Sequence, residues 1–250
     1  MRFFAPPTGL DLITDSESPA GAGLAGSSAL MVAVAAALQR LTGSRLGKEQ
    51  LREIVQNVEA QIIRVPTGCQ DYYPALYGGV SAVELGPAGI RRRPLAVDAG
   101  DLSERIVLAY TGVPRASGIN NWEVMKAHIN GDRRVYRNFD EIAAIARAMV
   151  SALERGDWTE TGRLLRQEWA HRRRNSPGIT TPLIDRLTRT ALRNGALGAK
   201  VCGAGGGSCV VFLVERGAKQ QVSEAVEAAG ARLIPVRVSS SGLRVRVMPE

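Results

Sequence analysis

The chain has 250 residues, of which 45% are apolar and 22% are charged, so it can bury the core of one large domain or of two smaller ones. The net charge of +8 favours an anionic partner such as ATP, a sugar phosphate or a nucleic acid. The three cysteines include no C-x-x-C pair, which argues against a disulfide framework or a zinc site and indicates a cytoplasmic protein. The longest apolar run, residues 29–38, is too short to cross a membrane.

The first hundred residues predict short strands and helices in alternation, because apolar residues recur first with strand spacing and then with helical spacing. The predicted elements are helices at 29–41 and 48–61, a turn and short helix at 66–77, and strands at 10–14 and 79–85. A polar segment with Gly and Pro ends near residues 98–101, which places a domain boundary there. We therefore expect domains of 1–100 and 101–250.

The second part of the chain continues the mixture of helices and strands. The predicted elements are strands at 105–111, 209–215, 232–238 and 243–247, and helices at 139–155, 157–172, 181–194 and 218–229. Helices alternating with hairpin-like strand pairs indicate an α+β fold built from two layers.

The most informative motif is the segment 19–29, PAGAGLAGSSA, which runs directly into the first predicted helix. Small residues let the backbone approach an anion closely, and free N–H groups at a helix N-terminus attract phosphate. The hydroxyls of Ser27 and Ser28 add oxygen atoms, the ligands that Mg²⁺ prefers. The segment therefore predicts a phosphate site with a nearby metal ion.

Other interpretations of this glycine-rich segment are weaker. The string Gly21 to Gly26 matches the dinucleotide fingerprint G-x-G-x-x-G, but no strand leads straight into it and residues 40–48 contain no acid. The segment 43–48 is one residue too short for a Walker loop. The remaining alternative is that the segment only leads into the helix, where glycine is tolerated, and binds no ligand.

Two acidic residues twelve positions apart form a second candidate site. Glu59 ends a predicted helix, and Asp71 begins the next short one after a Pro-Thr-Gly turn. Such acids can converge on one cleft, where one holds a metal ion and the other accepts the proton of a substrate hydroxyl. The alternative for Asp71 is a helix N-cap, a common position for Asp after a turn.

The third candidate site is the segment 200–208, KVCGAGGGS. A run of glycines would weaken an ordinary helix or strand, so its use is the close approach of backbone to a ligand or to another loop. A flexible hairpin turn is the alternative. The apolar strand predicted at 209–214 favours a loop that is held in place.

Together these motifs resemble the GHMP small-molecule kinases. The segment 19–29 is similar to that family's P-x-x-x-G-L-x-S-S-A loop, with one extra residue before the serines, and 200–208 is similar to its C-terminal Gly-rich motif. The segments 66–79 and 194–207 look most like the sugar branch, nearest the bacterial heptose 7-phosphate kinases, then fucokinase and galactokinase types. The resemblance implies a two-domain fold whose C-terminal domain is a ferredoxin-like α/β sandwich.

The resemblance also implies roles for individual residues. Asp71 would be the catalytic base or would orient the substrate hydroxyl, and Ser28 and Glu59 would bind Mg²⁺. Arg115 and Ser117 are weaker candidates for substrate contact. The residues expected to bind ATP or to brace its phosphates are Pro19, Gly21, Ala22, Gly23, Leu24, Gly26, Ser27, Ser28, Gly203, Gly205 and Gly206.

One departure from the family pattern leaves alternatives open. Family members begin with a further N-terminal segment that binds sugar hydroxyls and completes a sheet, so we expect the N-terminal domain to be partial and its sheet edge to favour homo-oligomers. A sugar or sugar-phosphate kinase is the first hypothesis, and an impaired binding or regulatory protein is the second. Nucleic-acid binding is third, because the basic clusters at 91–93 and 171–174 lack interleaved aromatic residues.

Overall fold

The computed structural model describes residues 3–113 and 118–248, and in this part of the chain two compact units can be distinguished. The first unit holds the described residues of Met1–Pro19, Ala25–Pro94 and Ser239–Glu250. The second holds those of Ala20–Leu24 and Leu95–Val238. Because these units are not continuous in sequence, the domain limits of 1–100 and 101–250 stay a prediction.

The first unit is a helical layer with a hairpin. Its elements are α1 (Gly26–Leu41), α2 (Lys48–Ile63), α3 (Tyr72–Tyr77), β1 (Ser81–Gly86) and β2 (Gly89–Pro94). The hairpin is antiparallel, with Ser81 opposite Pro94 and Gly86 opposite Gly89. One buried cluster joins the three helices, and its members are Val32, Ala35, Ala36, Leu51, Val55, Tyr72 and Leu76. Burial of these apolar faces holds α1, α2 and α3 together.

The last described residues pack onto the end of α3 in the same unit. The amide of Gly79 donates to the carbonyl of Ser239 over 2.7 Å, and Leu243 packs against the buried cluster. Gly78 has a φ of +67°, and a Cβ there would lie 2.7 Å from the backbone nitrogen of Gly242. Glycine is therefore required at position 78 by both its conformation and its close backbone neighbour.

The second unit is a sheet covered by helices. Its elements are α4 (Ala99–Glu104), β3 (Ile106–Tyr110), α5 (Gly118–Ile129), α6 (Arg133–Glu154), α7 (Trp158–Arg172), α8 (Pro182–Arg193), β4 (Ala196–Val201), β5 (Cys209–Val214), α9 (Lys219–Ala228) and β6 (Arg232–Ile234), with a 3-10 turn at Pro177–Ile179. In the described residues the strands form one sheet in the order β4-β5-β3-β6, with every neighbouring pair antiparallel. This order, with helices after β3 and after β5, is the ferredoxin-like β-α-β-β-α-β arrangement. The expected α+β fold class is confirmed.

Sequence signals explain how α8 covers this sheet. Thr181 caps the helix by accepting a hydrogen bond from the amide of Ile184, and Pro182 occupies the first turn, where its missing N–H is harmless. Ile184, Leu187 and Ala191 are buried at helical spacing. The apolar stripe of α8 therefore lies in the main core of the unit.

Two predicted strands were wrong. Within the described residues, 10–14 and 243–247 have no strand partner, and Ile13 is 94% exposed. Alternating apolar residues form a strand only where a neighbouring strand can accept their hydrogen bonds. Conversely, the strand β2 and the helices α4 and α5 were not predicted, because their apolar periodicity is weak. Among the described residues no helix is both long and apolar enough to cross a bilayer.

The contact between α7 and β4 depends on two glycines. A Cβ on Gly162 would lie 2.8 Å from the carbonyl carbon of Leu197, and one on Gly198 would lie 2.6 Å from the carbonyl oxygen of Gly162. The helix and the strand therefore approach each other at backbone distance.

Replacing Gly162 with Ala tests this close packing. In an open helix position the change would stabilise the protein by about 1 kcal/mol, because Ala is the better helix former. Here we expect a loss of about 1–3 kcal/mol in the free energy of unfolding, since the methyl group has no room. Urea unfolding measures the difference, and Thr159→Ala on the exposed side of α7 is the control, expected to be neutral or slightly stabilising. A more stable Gly162→Ala variant would contradict the close contact.

Candidate active site

The glycine-rich segment before α1 has the backbone of an anion-binding loop. Gly21, Gly23 and Ala25 have φ angles of +69°, +71° and +59°, and the residues that alternate with them do not have positive φ. Alternating backbone conformations of this kind turn successive N–H groups toward one point, which makes a concave site for an anion. The first residue of α1 is Gly26, and no side chain caps its N-terminus. Within the first unit, uncapped N–H groups and the helix dipole make the N-terminus of α1 itself attractive to phosphate.

This loop lies against the second glycine motif, within the second unit. A Cβ on Gly23 would come within 2.7 Å of the carbonyl oxygen of Cys202, and one on Gly203 within 3.1 Å of the Cα of Gly23. The amide of Cys209 donates to the carbonyl of Ala22 over 3.0 Å. The two glycine motifs therefore brace each other through their backbones.

The glycines at 203–207 form a held loop rather than a loose turn. The amide of Gly206 donates to the carbonyl of Ile179 over 2.8 Å, and the amide of Ser208 donates to the carbonyl of Val113 over 3.0 Å. The Ser208 carbonyl accepts hydrogen bonds from both the amide and the hydroxyl of Thr111. Sequence reasoning did not find Ile179 or Val113, because these residues act through backbone atoms that no side-chain pattern reveals.

The first unit buries a carboxylate among hydroxyl groups. Glu59 of α2 is only 6% exposed. Its Oε1 accepts a hydrogen bond from Ser27 (2.7 Å), and its Oε2 accepts hydrogen bonds from Ser28 (3.0 Å) and from Tyr72 (2.6 Å). Burial, followed by the hydrogen bond to Glu59, raises the pKa of Tyr72 to about 12, so the phenol remains a donor. The sequence prediction placed Glu59 beside the serines but did not identify Tyr72.

Ser28 and Glu59 offer two oxygen ligands of the kind that Mg²⁺ prefers. Their oxygen atoms are 3.0 Å apart, close to the spacing of about 2.9 Å between adjacent ligands of an octahedral ion with bonds of about 2.0–2.1 Å. Among the described residues no group of three or more His, Cys, Asp or Glu side chains could hold a metal ion. One carboxylate with remaining ligands from water and phosphate is the usual arrangement for Mg²⁺.

Asp71 lies at the start of α3, but its side chain makes no capping hydrogen bond. The structure therefore does not support the N-cap alternative. Burial raises the pKa of Asp71 above its usual value, a hydrogen bond from Gln70 opposes this, and repulsion from Glu59 adds to it. A half-buried carboxylate with a raised pKa is a suitable acceptor for a hydroxyl proton.

The basic clusters are mostly paired within their own units. Arg172 contacts Glu168, and Arg173 lies 3.0 Å from Asp185. The guanidinium of Arg92 lies over the ring of Tyr77, 4.3 Å from its centre. The weaker substrate candidates Arg115 and Ser117 lie outside the described residues.

Comparison with known proteins identifies the family of this chain. Residues 1–79 match the profile of the GHMP kinases N terminal domain, and residues 149–232 match that of the GHMP kinases C terminal domain. A mevalonate kinase of Aeropyrum pernix is 30% identical over 237 residues, covering 94% of this chain and 70% of the relative. The chain belongs to the GHMP kinase family, whose members are kinases that use ATP.

This chain is about as similar to sugar kinases as it is to mevalonate kinases. The D-glycero-alpha-D-manno-heptose 7-phosphate kinase of Campylobacter jejuni is 28% identical over 228 residues, which cover 90% of this chain and 67% of the relative. The structure of Lactococcus lactis galactokinase with galactose superposes with a TM-score of 0.71 at 24% identity, over 91% of this chain and 68% of that one. The chain thus spans about two thirds of the length of these relatives.

Replacing Gly23 with Ala tests the contact between the glycine motifs, and Gly43→Ala is the matched control. Both residues have φ near +70°, so both variants pay about 1–2 kcal/mol of backbone strain. Only Gly23 has backbone within reach of the new methyl group, whereas nothing lies within 4 Å of it at Gly43. We expect Gly23→Ala to lose about 1–3 kcal/mol more in urea unfolding. It should also weaken binding of a fluorescent ATP analogue, and equal losses in both variants would contradict the contact.

The raised pKa of Asp71 predicts a pH-dependent effect of Asp71→Asn on stability. The pKa of Asp71 is higher in the folded protein than in the unfolded chain. Its contribution to the free energy of unfolding is therefore fully present below the ordinary pKa of 3.8 and is lost as the pH rises through the folded-state pKa. Asp71→Asn removes this dependence, so the variant should be more stable than the wild type at pH 7. The difference should vanish below pH 3.8, as urea unfolding at both pH values will show. A less stable variant at pH 7 would contradict the assignment.

Proposed function

We propose that this chain performs ATP- and Mg²⁺-dependent phosphoryl transfer to a hydroxyl of a sugar or sugar phosphate. The observation that carries the proposal is the arrangement in the first unit, where Ser28, Glu59 and Asp71 supply a metal-ligand pair and a separate proton acceptor. The anion-binding loop precedes Ser27 and Ser28 directly along the chain. Heptose 7-phosphate is the preferred acceptor class, since the heptose kinase and galactokinase relatives support the sugar branch.

Each residue has a distinct task in the proposed reaction. The N–H groups of residues 21–26 bind the ATP phosphates, and Ser28 and Glu59 hold Mg²⁺, which when bound supplies positive charge against the phosphate oxygens. Asp71 orients the acceptor hydroxyl and accepts its proton while the oxygen forms a bond to the γ-phosphorus. The bond from the γ-phosphorus to the bridging oxygen breaks, and ADP leaves.

The proposal is tested by measuring ADP release from Mg·ATP with heptose phosphates, galactose, fucose, mannose and mevalonate. We expect turnover on a sugar or sugar phosphate, and Asp71→Asn should lower kcat by about 10²- to 10⁴-fold, the usual contribution of a general base. Asp98→Asn is the control, because Asp98 caps α4 and Asn caps a helix equally well. It should leave turnover unchanged.

The remaining outcomes separate the alternatives. Turnover on mevalonate alone would overturn the sugar assignment but retain the kinase. Binding of ATP without turnover on any acceptor, in a folded sample, would favour the binding or regulatory protein. Salt-dependent binding to duplex DNA without ATP binding would favour a nucleic-acid partner.

A further inference from the structure

The hydroxyl of Tyr72 belongs to a different helix from the other two donors to Glu59. Ser27 and Ser28 belong to the first turn of α1, whereas Tyr72 belongs to α3 and follows Asp71 directly. Its hydrogen bond to Glu59 is the shortest of the set at 2.6 Å, and its side chain is 0% exposed. The bond therefore links the start of α3 to the last turns of α2.

The hydrogen bond from Tyr72 to Glu59 does not depend on the one from Ser28. A carboxylate has about four acceptor positions, and the described hydroxyls fill three of those on Glu59. If the Ser28 oxygen turns to a metal ion, Oε2 still accepts from Tyr72 and Oε1 still accepts from Ser27. The plane of the carboxylate is then fixed from both sides while its remaining acceptor positions stay available.

Tyr72 also connects the two acids, because it bonds to Glu59 and directly follows Asp71. Tyr72 and Leu76 anchor α3 in the buried cluster that includes Val32 of α1 and Val55 of α2. Asp71 is the residue directly before Tyr72, so its backbone position follows that of the anchored side chain. The position of Asp71 relative to Glu59 thus follows from how Tyr72 is held, by the buried cluster and by its hydrogen bond to Glu59.

We propose that Tyr72, assisted by Ser27, is a positioning residue that holds Glu59 in the orientation needed to bind a divalent cation and sets its distance from Asp71. This inference rests on the proposed function, because it assumes that Glu59 is the metal ligand. The partners that orient a metal ligand typically change metal affinity by about 10- to 100-fold when they are removed. An effect of that size on cation affinity is the expected signature.

The chain contains a matched control for Tyr72. Tyr73 lies on the same helix, is 1% exposed, and donates its hydroxyl over 3.1 Å to Glu49, a different carboxylate of α2. Tyr73→Phe therefore removes, from a residue about as buried as Tyr72, a phenol oxygen that is bonded to a more exposed carboxylate outside the candidate site. Any general loosening of α3 should appear in both variants.

The experiment measures Mn²⁺ binding by electron paramagnetic resonance in the presence of ADP, on the full chain, for wild type, Tyr72→Phe and Tyr73→Phe. We expect Tyr72→Phe to weaken Mn²⁺ binding about tenfold or more and Tyr73→Phe to change it less than twofold. Half-saturation of turnover by Mg²⁺ should shift likewise, while the KM for ATP at saturating metal stays the same. Ser27→Ala, a mild change at an exposed position, should weaken Mn²⁺ binding in the same direction even if Tyr72→Phe does not fold.

The outcomes distinguish this inference from the proposed function. If wild type binds Mn²⁺ with ADP but Tyr72→Phe and Ser27→Ala bind it as well as wild type, the positioning role is overturned and the kinase proposal stands. Equal weakening in Tyr72→Phe and Tyr73→Phe would also overturn it, because the effect would then be structural. If wild type binds ADP without Mn²⁺, the metal site itself is overturned.

Discussion

The buried carboxylate of Glu59 depends on its hydroxyl partners, and the candidate active site depends on Glu59. Removing a carboxylate from water is unfavourable by several kcal/mol, on the order of what a small domain has in total stability. Hydrogen bonds from Ser27, Ser28 and Tyr72 offset this desolvation. Since these donors come from α1 and α3, the carboxylate is stable only when α1, α2 and α3 are all packed. The chemistry of the site and the packing of the first unit are therefore coupled.

The second unit holds its glycine loops by a different means. The glycines of the two motifs brace each other through backbone carbonyl and amide groups. Gly23 and Gly203 approach closely because neither has a Cβ, and Gly206 and Ser208 bind the backbone of neighbouring segments. A loop built in this way leaves its own N–H groups oriented at little side-chain cost in entropy, which suits the recognition of phosphate oxygens.

The sequence allowed prediction of those features in which residue type alone decides the structure. Glycines before an Ala-rich helix predicted the loop, and the spacing of Glu59 and Asp71 predicted that the two acids converge on one cleft. Tyr72 could not be predicted, because its role depends on where α3 packs rather than on its neighbours in sequence. The segment 243–247 was predicted as a strand from its alternating apolar residues, but it pairs with no described strand and instead packs Leu243 against the helical cluster of the first unit. In both segments tertiary packing, which local sequence does not reveal, decides the outcome.

Asp71 and Glu59 also show why the site works against the stability of the fold. Burial and repulsion from Glu59 both raise the pKa of Asp71, so ionised Asp71 destabilises the folded unit at neutral pH. A cation held by Glu59 would reduce that repulsion, and an acceptor hydroxyl would donate to the same carboxylate. The ligands that the proposed reaction requires would thus reduce this electrostatic destabilisation. Removing the repulsion between Asp71 and Glu59 would therefore favour the binding of the cation and of the acceptor hydroxyl, and the binding of both would in turn stabilise the first unit.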